Sequence, residues 1–342
     1  MPLLRRLDAY QRRHPAVGFP IAVIYKYFDD QGNYLAALMT YYAFIGTFPL
    51  LLISSSILGF VLQNDASLRD QILESALSNF PVIGEALGRP DGLRGSTSAI
   101  VVGFLLSLYG GVNVALAAQN ANNVAWAVPR NSRPNPFAAR LRAVVLLVTG
   151  GVGVLVVTAI SIAGTNGSKL GMDIGRVSWL VTAATAVVTV GVFVFVFRHA
   201  TPHALSRADV LPGAIGVGVL WQLLQMGGSA FVGSVVANSS ATNGVFALVL
   251  GLVAWLFLVS VTVIMCIEIN VVRHQRLYPR ALLTPFTDAV NLTEADRRAY
   301  TAYAAAQRTK DFAHIEVRFE LDGQNLSADR RHSAEQPPGP EA

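Results

Sequence analysis

Apolar residues in this chain persist well beyond the period of any amphipathic element. Six runs, at about 34–62, 98–124, 141–163, 177–197, 210–236 and 245–272, are almost free of charge. A helix needs roughly 20 such residues to cross about 30 Å of hydrocarbon. Each run therefore predicts a membrane-spanning helix, because lipid requires backbone groups to be bonded within their own segment. The alternating strands of about ten residues that a membrane barrel needs do not occur. The predicted class is all-α, a polytopic membrane protein with six transmembrane helices.

The flanking segments read differently. Residues 3–13 (LLRRLDAYQRR) pattern as a basic amphipathic helix, and 17–28 (VGFPIAVIYKYF) are apolar but too short to span. The second piece is expected to lie at the cytoplasmic face as an interfacial helix. Residues 1–30 thus form an amphipathic entry, 31–276 the six-helix transmembrane domain, and 277–322 a cytoplasmic tail with one helix. In the 63–97 connection, Leu68, Ile72, Leu73, Ala76 and Leu77 recur at helical spacing and predict a short helix over the outer mouth. Thr293 with Asp296 resembles a capping box for a helix reaching about Phe312. The stretch IEVRFELDG suggests a short strand, and the polar, proline-rich residues 323–342 suggest disorder.

Charge supports and orients this picture. Only 14% of residues are Asp, Glu, Lys or Arg, against about 25% in an average soluble chain. That deficit excludes an ordinary soluble two-domain enzyme and a disordered chain. A single cysteine, Cys266, excludes an intrachain disulfide. The net charge of +5 resolves into an asymmetry between loops. Arg5, Arg6, Arg12, Arg13 and Lys26 precede the first run. Arg130, Arg133, Arg140, Arg142, Arg198, Arg207, Arg273, Arg276 and Arg280 fall in the alternate connections or after the sixth run. The opposite side carries Arg69, Arg89, Arg94, Lys169 and Arg176. By the positive-inside rule both termini are expected in the cytoplasm. The basic balance is then a topology signal, and no nucleic-acid partner is expected.

Several polar or kinking positions lie inside the runs. The first holds TYYAF at 40–44, with Tyr41 and Tyr42, followed by Thr47, Phe48 and Pro49. Proline in a helix removes one hydrogen bond and kinks the axis. The second run places Gly103, Ser107, Gly111 and Ala115 at four-residue spacing, a stripe along which another helix can approach. Its second half turns polar, with Asn113, Gln119, Asn120, Asn122 and Asn123. Asn113 and Asn120 share a face. Amides in hydrocarbon need partners or water, so either they line a wet cavity or the helix ends early. In the fifth run Ser206 or Asp209 can cap the start, Pro212 falls in the first turn, and Gln222 and Gln225 come further in.

The sixth run ends CIEINVV. Glu268 is the one acidic residue inside the six runs away from their ends. It lies five residues before Arg273, about 7.5 Å inside the boundary at about 1.5 Å per residue. A carboxylate there opposes the helix dipole and needs a partner or a proton. Arg140, Arg142 and Arg198 share its predicted depth. A structural salt bridge to one of them is one reading, and a proton- or substrate-linked role is the other. Glu268, Asn270, Asn113, Asn120, Gln222 and Gln225 are the candidate substrate pathway.

No phosphate-binding loop, metalloprotease motif, nucleophile elbow or paired zinc ligands occur. His199 and His203 are four apart but flank Pro202, which spoils a regular helix-face pair. No catalytic residue, metal or cofactor is expected, and membrane lipids are the expected partners.

Three segments carry a resemblance: DDQGNYLAALMTYYAFIGTFPLLL, LPGAIGVGVLWQLLQ and AWLFLVSVTVIMCIEINVV. Their order and placement resemble the YihY/virulence factor BrkB family over roughly residues 20–276. The resemblance implies a six-helix bacterial inner-membrane protein with cytoplasmic termini. It also implies a role in envelope lipid or small-molecule translocation; the tail at 285–322 supports the alternative, a non-catalytic envelope assembly factor. The family's older ribonuclease label is regarded as mistaken. Tyr41, Tyr42, Phe48 and Pro49 match its first-helix motif, and Glu268 and Asn270 match its closing G-A-E-L-N. Cys266 and Ile267 replace the Gly-Ala of that motif, and Thr47 replaces a common Ser. Gln222 and Gln225 stand where many members have Glu and Lys, which argues against a charge relay in the fifth helix.

Overall fold

The structure, a computed structural model, describes residues 2–61, 97–169, 174–238, 241–287, 290–321 and 324–327. The helices among them are α1 (Pro2–Arg13), α2 (Pro15–Asp29), α3 (Gly32–Val61), α4 (Thr97–Ala125), α5 (Pro136–Lys169), α6 (Ile174–His199), α7 (Arg207–Asn238), α8 (Ala241–His274) and α9 (Glu294–Ala306). Strands β1 (Arg318–Leu321) and β2 (Gln324–Ser327) pair antiparallel, with Phe319 opposite Leu326. The chain divides into two compact units. One comprises 1–22, 127–133 and 276–342, and the other 23–126 and 134–275.

The larger unit holds the six long helices. They run 26 to 34 residues, against a mean of about 11–12 in soluble proteins. Each packs against the next in chain order, and α8 closes the ring by packing on α3 and also on α4. Five of them are long and apolar enough to cross a membrane: Val101–Ala125, Pro136–Gly164, Val177–His199, Arg207–Gly228 and Val249–His274. The first run read from sequence falls in α3, one continuous helix with Pro49 inside it. Large apolar side chains face outward from this ring, such as Leu155 at 70%, Val187 at 71% and Trp179 at 76% exposure. Apolar surface on that scale marks contact with lipid or another apolar partner.

Small residues set the closest helix contacts. A Cβ on Gly110 would stand 2.5 Å from the Gly46 Cα, so α3 and α4 touch backbone to backbone. Gly110 lies off the four-residue stripe. The stripe itself turns toward α5, where Gly111 meets Leu147 and Ala115 packs with Ala143 and Leu146. Between α7 and α8, Gly228 leaves room for the Trp255 ring.

Helix ends correct several expectations. Helix α4 continues to Ala125, so its polar half is helical and the early-end alternative fails. Helix α7 starts with a reciprocal cap: the Asp209 carboxylate accepts from the Ser206 amide at 2.8 Å, and the Asp209 amide donates to the Ser206 hydroxyl. Pro212 is the sixth residue of α7, not a first-turn residue. Its missing N–H deprives the Ala208 carbonyl of its helix partner, and Arg273 donates to that carbonyl at 3.4 Å. Helix α9 has the expected capping box on Thr293 and Asp296 but ends at Ala306, short of Phe312. Residues 324–327, expected to be disordered, pair as β2. The helix expected within 63–97 lies outside the described residues.

The smaller unit is tied by polar bonds between distant parts of the chain. Arg280 and Asp296 are both fully buried and bonded Nε to Oδ1 at 2.5 Å. The other Asp296 oxygen accepts from the Ala281 amide at 3.0 Å. Asp8 accepts from the Leu282 amide at 2.9 Å, and Gln11 donates to the Arg280 carbonyl at 2.5 Å. Breaking a buried ion pair by removing one partner typically costs about 3–5 kcal/mol. Asp296→Ala also removes the carboxylate half of the α9 capping box, and is expected to abolish amide-exchange protection across Glu294–Ala306. Unchanged protection would show that the pair does not hold this unit.

Candidate functional site

The inner face of the six-helix ring is polar at one end. That end collects the starts of α3, α5 and α7 and the ends of α4, α6 and α8. Most of the buried residues gather there, including Ala36, Ala121, Ala143, Phe197, Val210 and Ile264. Helix α8 is its centre: from Val263 to Val272, every residue except Met265 and Ile269 is buried.

Glu268 projects from this buried stretch and is 0% exposed. Its partner is Lys26, with Nζ 3.7 Å from Oε2. The expected partner among Arg140, Arg142 and Arg198 is thus corrected to a lysine from α2. Lys26 also pairs with Asp30, one turn further along, and donates to the Ala125 carbonyl at 3.0 Å. Lys26 is 1% and Asp30 5% exposed. The α2 segment, expected at the interface, thus sends a charged side chain into the bundle's interior.

Local geometry explains how. A spacing of four places Lys26 and Asp30 on one helix face. Helix α2 then turns sharply into α3: Gln31 adopts a left-handed φ of 56° and the Asp30 amide donates to the Lys26 carbonyl at 2.9 Å. A Cβ at Gly32 would collide with the Tyr27 ring, so this turn requires glycine. Tyr27 donates to Asn33 at 2.8 Å. Burial, and then the nearby Glu268 charge, push the Tyr27 phenol above its ordinary value. Helix α4 stops at Ala125, where Ala127 turns left-handed at φ 50°. The last carbonyls of a helix lack partners and carry partial negative charge. The Lys26 ammonium satisfies one of them.

The remaining sequence candidates do different things. The Asn270 Oδ1 accepts from the Gly213 amide at 2.7 Å, binding α8 to α7. A Cβ on Gly213 would stand 2.5 Å from the Asn270 Nδ2, so glycine is required for this contact. Asn113 bonds back to the Tyr109 carbonyl of its own helix at 2.7 Å. Asn120, Gln222 and Gln225 are half-buried. The fully buried amides of α4 are instead Gln119, Asn122 and Asn123, and an oxygen of each has no hydrogen-bond partner among the described residues. Tyr41 and Tyr42 point to different sides of α3. Tyr41 lines an apolar groove of about 460 Å³ against α8, and Tyr42 one of about 420 Å³ against α4 and α5. A third groove, of about 380 Å³, lies between α7 and α8. Pro49 is buried, and the Phe48 side chain lies outside the described residues.

The family model described as Virulence factor BrkB matches residues 23–288. The chain belongs to the BrkB family. Its match begins just before the Lys26–Asp30 turn and covers all six long helices. A relative named Inner membrane protein YhjD, from Escherichia coli (strain K12), is 22% identical over 277 residues, covering 75% of this chain and 80% of the relative. An uncharacterized protein of Dickeya dadantii (strain 3937) is 28% identical over 106 residues, 30% of this chain and 32% of that one. No solved structure matches significantly.

Sequence reasoning singled out Glu268 and missed Lys26 and Asp30, although the i, i+4 pair stood in an otherwise apolar stretch. Lys26→Met in this BrkB-family protein leaves two buried carboxylates without their ammonium. The expected cost is about 3–5 kcal/mol, the range for unpairing a buried charge, seen as a lower unfolding midpoint in detergent. An unchanged midpoint would show that Lys26 does not compensate them.

Proposed function

We propose that this BrkB-family protein is a bacterial inner-membrane transport protein that moves a lipid or small amphipathic molecule across the membrane. In this reading α3 is a sixth span, both termini lie in the cytoplasm, and the chain is not an enzyme. The observation that carries it is the buried Lys26–Asp30–Glu268 cluster, among helices whose other charges lie near their ends. Ionisable groups among membrane helices are expensive to bury, and they cluster on substrate and ion pathways. The name of the Escherichia coli relative supports the inner membrane.

Two further features favour a lipid. The three grooves on the ring are apolar and open between neighbouring helices, a form suited to acyl chains. Arg142, near the start of α5, buries one guanidinium nitrogen that meets no acceptor among the described residues. A headgroup phosphate is an anion that such a donor binds well. The alternative, an envelope assembly scaffold, draws support from the smaller unit and its buried Arg280–Asp296 pair. It assigns the bundle only an anchoring role.

The two readings separate by lipid content and lipid movement. Lipids co-purified with the full chain in mild detergent are expected to be enriched in one anionic class over the bulk membrane, and Arg142→Ala to reduce that enrichment several-fold. Proteoliposomes are expected to move a labelled lipid of that class between leaflets. A co-purified lipid profile equal to the membrane average, with no movement, would favour the scaffold.

A further inference from the structure

The charges at the end of α8 do not balance. Lys26 brings one positive charge, and Asp30 and Glu268 bring two negative ones, all three at most 5% exposed. The Lys26 ammonium also faces the Ala125 carbonyl at the negative end of α4, which adds no positive charge. Three carboxylate oxygens, Asp30 Oδ1 and both of Glu268, have no hydrogen-bond partner among the described residues. Two buried carboxylates that share one ammonium leave a net buried charge, which is costly to hold in a protein interior.

Among the described residues, neither Asp30 nor Glu268 forms an ion pair with any cation but Lys26. Helices α3 and α4, both packed on α8, contain no Asp, Glu, Lys or Arg. The charges of α7 are Arg207 and Asp209 in its first turn, where Asp209 pairs with Ser206 and His274. Arg273 of α8 is exposed and turned to the Ala208 carbonyl. Asp29 of α2 is exposed, and Tyr27 of α2 and the buried Cys266 thiol of α8 are further titratable groups near Glu268.

We propose that the Lys26–Asp30–Glu268 site binds one small monovalent cation, a proton or an alkali-metal ion, between the two carboxylates. Either ion supplies the missing positive charge and gives the unmatched oxygens a partner. A proton on one carboxyl becomes a hydrogen-bond donor to the other, and an alkali-metal ion takes carboxylate oxygens as ligands. The site thereby makes the bundle responsive to an ion that a bacterial membrane holds at unequal concentration on its two sides. The inference is independent of the lipid reading: ion binding without lipid movement leaves it standing.

Charge counting makes the test specific. Either Glu268→Gln or Asp30→Asn leaves one carboxylate for one ammonium, so each single variant is expected to fold and to need no added cation. The double variant leaves the ammonium uncompensated and is expected to unfold below either single. The full chain in detergent is followed by tryptophan fluorescence during heating, across pH in sodium-free buffer and across sodium chloride at fixed pH, with choline chloride holding ionic strength. If a proton is bound, the native state holds more protons than the unfolded chain, so the wild-type midpoint falls as pH rises. If an alkali-metal ion is bound, the midpoint rises with sodium and not with choline. The response is expected to be lost in both single variants. A wild-type midpoint indifferent to both ions would overturn the proposal. So would an undiminished response in both single variants, or failure of both to fold, since each is the charge-balanced form.

Discussion

Moving a charge out of water costs several kcal/mol per ion even after relaxation, and three charges make that move together at one end of this bundle. Much of the surrounding architecture serves their contact. Helix α2 must present Lys26 and Asp30 on one face, and the turn after it must be tight enough to bring α3 back alongside. Gly32 allows that turn by leaving space for the Tyr27 ring. Helix α4 must stop where its terminal carbonyl meets the Lys26 ammonium. Helix α8 must be enclosed on nearly all sides, so that Glu268 meets protein and not lipid.

The rest of the ring obeys a different rule. Along its length lipid is as apolar as the side chains, so burial gives no reason for helices to associate. Close approach does. Gly46 against Gly110, Gly111 against Leu147 and Gly228 beneath Trp255 are places where a missing Cβ lets dispersion contacts accumulate. Hydroxyls spend their hydrogen bonds locally: Thr40, Thr47 and Ser260 each donate to the carbonyl four residues back in their own helices. Thr40 also meets the Ser260 hydroxyl at 3.4 Å across α3 and α8, and nearer the charged end the Gly213 amide bonds to Asn270.

The long helices were legible because hydropathy over twenty residues averages out local detail. Caps were legible for a similar reason, since Ser206 with Asp209 and Thr293 with Asp296 act over three residues. Glu268 stood out as a lone acid in an apolar run. Its partner was not legible. Lys26 lies 242 positions earlier by residue number, in a segment too short to span, and local rules send such a lysine toward the headgroups. Only the return of α3 onto α8 reveals that it is enclosed. Small-residue spacing likewise marked a stripe on α4, yet the tightest contact uses Gly110, one residue off that stripe. Spacing identifies faces, and only the fold says which face meets which neighbour.

The smaller unit has a consequence for the order of events during synthesis. Asp8 and the Leu282 amide are 274 positions apart along the chain and bonded to each other. At about 5–20 residues per second of translation, α1 leaves the ribosome roughly 15–55 s before its partners exist. During that interval the long helices of the larger unit are synthesised while α1 has no partner from residues 276–306. The smaller unit then assembles last, when residues 276–306 emerge with Arg280 and Asp296. Its closure is a chemical record that every helix between the two halves has been made.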